Sequence, residues 1–198
     1  MADHQQCQNR RHLGRRIQAR RMDAIFPVHV LISRVSAPSQ AEFATEARVW
    51  IPDNERTRAE VTADGLIAHG IWEPDLETAI DVLSEHYRDL KIAHPETKFI
   101  YEPRLLEPYL TVTISIPEIA MGNTCADVVS KRRGMVLSID DGDGDQMLTK
   151  FEAPVSELWG YSTDLRILTN GNGRIIDYAF SGYKPAPGPQ GPAAMAVA

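Results

Sequence analysis

The chain has 198 residues, 43% of them hydrophobic and 24% charged, with a formal net charge of −6. That length holds one large or two small domains, and the acidic balance excludes a broad face built to grip nucleic acid, which needs excess positive charge. No stretch approaches the ~18 uncharged apolar residues of a membrane span, and Cys7 and Cys125 give neither a disulfide framework nor zinc-ligand spacing, which suits a reducing compartment.

The charge is unevenly spread. Residues 1–21 hold six arginines against one acid, Asp3, so the remainder carries about −11. Residues 1–25 are expected to form a basic, disordered arm. An RNA-contacting arm and an Arg-rich organellar presequence are the other readings of the same composition.

After the arm, Val28, Val30 and Ile32 alternate in part with His29 and Ser33 and predict a strand. Ser39 is placed to cap a short helix through Arg48, with Ala41, Phe43, Ala44 and Ala47 on its apolar side. Residues 56–61 predict a charged edge strand, turned by Ala63-Asp64-Gly65 into a further strand at 66–70. Leu76, Ile80, Leu83 and Tyr87 mark an amphipathic helix over about 74–87, and 98–101 predicts a last strand before Pro103. The order is βαββαβ, that of a ferredoxin-like unit over 26–103.

The pattern then repeats without sequence similarity. Leu110, Val112, Ile114 and Ile116 alternate with Thr111, Thr113 and Ser115, which predicts a half-buried strand ending at Pro117. A helix follows to about Arg133, its apolar positions read as Ala126, Val128 and Val129, with Gly134 as its stop. Strands at 135–139 and 146–153 flank an acidic hairpin loop, a second helix carries Leu158, Trp159, Leu165 and Leu168, and 175–180 predicts the closing strand. The fold class is therefore α+β, two ferredoxin-like βαββαβ units at 26–103 and 104–184. The Pro-rich end, 185–198, is expected to be disordered.

No motif points to catalysis. There is no Gly-x-x-x-x-Gly-Lys-Ser/Thr phosphate loop, no Gly-x-Ser-x-Gly and no Cys–His arrangement, and the six histidines are scattered. The acids Glu73, Asp75 and Glu77 suit the first turn of a helix as well as they suit acid–base work. Asp141, Asp143, Asp145, Thr149 and Glu152 have the spacing of a calcium loop, but Gln146 stands where the turn needs glycine and strands flank it. The segment is read as a solvated hairpin. No catalytic residue, metal ligand or cofactor is assigned.

Leu105-Leu106-Glu107-Pro108-Tyr109-Leu110, Met121-Gly122, Lys131-Arg132-Arg133-Gly134, Gly160-Tyr161-Ser162-Thr163-Asp164-Leu165-Arg166, Thr169-Asn170-Gly171-Asn172-Gly173 and Ser181-Gly182-Tyr183 occur in that order. The series resembles the C-terminal, fifth domain of elongation factor G and of the tetracycline-resistance ribosomal protection proteins. Gly70-Ile71-Trp72-Glu73-Pro74-Asp75-Leu76-Glu77 is similar to the Gly-Met-Gly-Glu-Leu-His-Leu-Glu phrase of that family's third domain. Trp72 replaces its second glycine, and Pro74 and Asp75 replace leucine and histidine. The family's GTPase, barrel and tRNA-mimicking domains have no counterpart in this sequence.

The resemblance implies a non-enzymatic, ribosome-associated module in the cytoplasm. Its second unit would approach the large subunit near the GTPase-associated centre, and its first would face the small subunit or a translational GTPase. Membrane and DNA are not expected partners. A module that docks a translational GTPase, and a fragment of a split factor, are the alternatives. Candidate ribosome or RNA contacts are Lys131, Arg132, Arg133, Tyr161, Arg166 and Asn170. The three consecutive cations equally suit a helix C-terminus.

Overall fold

A computed structural model describes residues 26–187. The arginine-rich arm at 1–25 and the tail beyond 187 lie outside the described residues. The chain divides into two compact units between Thr97 and Lys98.

In the first unit, β1 (Val28–Arg34) leads to α1 (Gln40–Ala47), β2 (Thr57–Thr62), β3 (Gly65–Gly70), α2 (Glu73–His86), β4 (Leu90–Ile92) and β5 (Glu96–Thr97). The strand order is β2-β3-β1-β4, with β5 also paired to β1. Neighbours are antiparallel, which makes this a ferredoxin-like sheet. Val28, Val30 and Ile32 are buried with Leu66, Ala68, Phe43, Ala44, Leu76 and Leu83, so the alternation in β1 fixes which face meets the helices. The Ser39 hydroxyl accepts from the Glu42 amide at 3.3 Å, the expected cap.

The fourth strand differs from expectation. Leu90–Ile92 takes that place beside β1, through Ile32 opposite Ile92, a run too short and mixed to announce itself by pattern. The expected strand at 98–101 contributes only β6 (Ile100–Tyr101), which pairs with Leu105 and Leu106 in the second sheet.

The second unit runs β7 (Leu105–Pro117), α3 (Met121–Ser130), β8 (Met135–Asp141), β9 (Gln146–Pro154), α4 (Tyr161–Leu168) and β10 (Arg174–Pro185), with order β10-β7-β9-β8. Leu110, Val112, Ile114 and Ile116 are fully buried and Thr111 and Thr113 half-exposed, as a period-two strand under two helices requires. The last strand reaches further than expected. Lys184 and Pro185 pair with Glu107 and Leu106, so the described part of the expected tail at Pro185 belongs to the sheet.

Both helices of this unit are shorter than their patterns. The second is broken because Gly160 sits at φ +71°, a conformation that glycine adopts without strain, and a separate turn at Val155–Glu157 precedes it. In α3 the buried positions are Thr124, Asp127 and Val128, while Ala126 and Val129 are exposed. A buried aspartate in place of a buried valine needs a partner for its charge, and here that partner is a cation.

Candidate functional site

That cation is Arg132, which is 7% exposed. Its Nε donates to Asp127 Oδ2 at 2.8 Å, one Nη donates to the Glu157 carbonyl at 2.7 Å, and the other donates to the Asp164 carboxylate. The guanidinium lies 4.7 Å from the centre of the Tyr161 ring. Burial disfavours the Asp127 charge, but bonds from Arg132 and Lys131 outweigh it and hold the carboxyl below its usual range. One arginine thus ties the end of α3 to the start of α4. The donors of Arg132, a candidate ribosome or RNA contact, are turned inward onto protein acceptors.

Tyr161 is likewise interior. It is fully buried, meets Phe151 edge-on at 5.5 Å, and its hydroxyl pKa is pushed up chiefly by burial. A surface contact for this ring is not what the fold provides.

Arg133 occupies the left-handed region at φ 50°, which costs a side-chain-bearing residue about 1–2 kcal/mol. The stop of α3 therefore falls one residue before the glycine. Gly134 serves another purpose: a Cβ there would lie 2.7 Å from Val128 Cγ1 and 2.9 Å from its carbonyl oxygen. The Arg133 fork closes on Glu107 at 2.7 and 2.9 Å, and its Nε reaches Glu157 at 2.9 Å. Glu107 is only 2% exposed, so this bidentate pair neutralises a carboxylate that β7 carries inside. The guanidinium proton is held more tightly than usual, first by the Glu107 bond. Arg133, like Arg132, is engaged with acids of its own unit.

The remaining three candidates face solvent. Lys131 is 72% exposed and 3.2 Å from Asp127 Oδ1. Arg166 is exposed on α4. Asn170 is exposed just beyond that helix at φ 51°, and the Gly171 amide bonds the Arg166 carbonyl at 2.6 Å. Asparagine tolerates this backbone better than most residues, so Asn170 also terminates α4. The six candidates divide: Arg132 and Tyr161 meet in the interior, Arg133 holds Glu107, and Lys131, Arg166 and Asn170 lie on the surface.

Sequence reading missed the acids that absorb the arginines. Glu107 was visible in its phrase, and Asp127 stands five residues before Arg132, but neither signals burial by itself. The hairpin acids do not converge. Asp141 pairs in the strand with Met147, Thr149 is buried, and Glu152 receives Lys184 and, at 2.8 Å, the Ser181 hydroxyl. Asp75 is buried and accepts from the amides of Ile71 at 3.0 Å and Trp72 at 3.1 Å, which closes the entry to α2. Trp72 itself is fully buried there. Among the described residues no helix is long and apolar enough to cross a membrane.

Residues 104–191 match the family described as elongation factor G C-terminus. The chain is also 30% identical over 172 residues to an elongation factor G of Rhodopirellula baltica, an alignment covering 77% of this chain and 24% of that protein. The chain thus spans about a quarter of the length of that curated relative. Since the alignment is longer than the second unit, it reaches into the first. The second unit is an elongation factor G C-terminal-like domain.

Proposed function

We propose that this module associates with the ribosome at the surface used by translation factors, without catalysing a reaction itself. The observation that carries the reading is the match over 104–191, together with an alignment long enough to include part of the first unit. We read the first unit, over 26–103, as third-domain-like and the second, over 104–184, as the part that meets ribosomal RNA.

Electrostatics supports a small contact. With Arg132 and Arg133 engaged by Asp127, Asp164, Glu107 and Glu157, Lys131 and Arg166 are the candidate cations still presented to solvent, with the Asn170 turn beside the end of α4. Two phosphate contacts position a protein without gripping nucleic acid broadly, which agrees with the acidic total charge.

Competition tests the proposal. Labelled full chain bound to vacant ribosomes should be displaced by excess intact elongation factor G. Binding that persists at saturating factor would place the chain elsewhere. Capture of a translational GTPase with no ribosome binding would favour the GTPase-docking reading instead.

A further inference from the structure

The second sheet ends at β8, which pairs with β9 alone among the described residues. Its outer row of backbone N–H and C=O groups therefore meets no other described strand. Natural sheets guard such an edge with charge or proline, but residues 135–139 read Met-Val-Leu-Ser-Ile. Met135 is 57% exposed, Leu137 46% and Ile139 43%, so this uncharged edge is also apolar and open. The ladder to β9 is interrupted only at the bulge between Val136 and Ser138.

Charge sits at the two ends of the strand, with opposite signs. Lys131, just before it, is 72% exposed. Asp140, Asp141, Asp143 and Asp145, at its far end and in the hairpin loop, are all exposed. Among the described residues their carboxylates accept only from the Ser138 hydroxyl and the Gln146 amide, and no cation pairs with them. Parallel pairing of two such strands would stack acid on acid. Antiparallel pairing about Leu137 and Ser138 brings Lys131 of each copy to the hairpin acids of the other. It also holds the two acidic ends about 35 Å apart at strand rise, beyond the reach of screened charge. The segment is self-complementary, as a two-fold contact between identical surfaces requires.

We propose that a second copy of this chain pairs antiparallel with β8, edge to edge, and that the two sheets become one in a two-fold dimer. A single strand edge buries an area at the low end for specific interfaces, below about 1,200 Å2. The dimer is therefore weak, with a micromolar Kd.

Sedimentation of the full chain in reductant, from about 2 to about 200 µM, brackets such a Kd and should show a reversible passage from monomer to dimer. Leu137→Lys/Ile139→Lys, at two exposed positions, should keep the circular dichroism of the parent and stay monomeric. Lys131→Glu alone, and Asp143→Lys/Asp145→Lys alone, should each dimerise about tenfold more weakly, because each places like charges at both ends of the contact. Mixed together, these two variants should form a heterodimer, since each end of a mixed pair again joins opposite charges. A chain that stays monomeric throughout leaves the edge to some other protein and would overturn the proposal. So would a dimer indifferent to Leu137→Lys/Ile139→Lys, or charge variants that do not recombine when mixed.

Discussion

Arg132 donates to Asp127 at 2.8 Å with both side chains nearly excluded from solvent, and its further bonds to the Glu157 carbonyl and Asp164 fasten the end of α3 to the start of α4. Removing one member of such a pair leaves the other charged, buried and poorly paired. Arg132→Met should therefore cost about 3–5 kcal/mol in urea unfolding. Arg132→Lys should rescue little, because an ammonium cannot aim at Asp127, the Glu157 carbonyl and Asp164 together while covering the Tyr161 ring. Arg132→Met/Asp127→Leu should recover part of the loss.

The neighbouring arginine separates backbone from side chain. Arg133 is left-handed at φ 50° and clamps Glu107. Both Arg133→Gly and Arg133→Ala lose the clamp, but only alanine is strained by this backbone. The alanine variant should be less stable by about 1 kcal/mol. Equal stabilities would mean that the turn relaxes once the fork is gone.

Acid should unfold the protein through the same carboxylates. Burial disfavours the charges of Asp127 and Glu152, yet Arg132 and Lys131 on one, and Lys184 and Ser181 on the other, hold both carboxyls below their usual values. The Asp89 carboxyl is also depressed, first by its bonds to Ser36 and Arg34. A carboxylate whose folded pKa lies below its unfolded value stabilises the fold above the unfolded value, and loses that contribution as pH falls through the folded one. Stability should hold from neutrality to about pH 5 and drop below about pH 4. A pH–urea series on Asp127→Asn should show a shallower drop, and an unchanged slope would remove Asp127 from the explanation.

The two βαββαβ orders were legible because hydrophobic alternation reports burial directly: Leu110, Val112, Ile114 and Ile116 could face only one way. Charge burial left no comparable trace. The pattern Ala126-Asp127-Val128-Val129 reads as a valine-lined face, and Asp127 turns inward only because Arg132 arrives from the next turn. Three consecutive cations at a helix end suggested a basic patch, yet Arg133 answers acids brought from β7 and the Val155–Glu157 turn, and Arg132 answers Asp164 of α4 besides its neighbour Asp127; no local window contains the distant acids. Leu90–Ile92 escaped because three mixed residues carry no period, although Ile32 pairs with Ile92 across the sheet.

The surface assignment that remains, Lys131 and Arg166, is tested most directly by ribosome affinity as a function of salt. Two phosphate contacts predict a loss of about tenfold between ~50 and ~200 mM salt, against a hundredfold or more if Arg132 and Arg133 also contributed. Lys131→Glu/Arg166→Glu should abolish most of the binding, while Lys150→Glu, exposed on β9, should leave it unchanged. Affinity indifferent to Lys131→Glu/Arg166→Glu, with the fold intact by circular dichroism, would contradict the claim that this unit meets the ribosome through that surface.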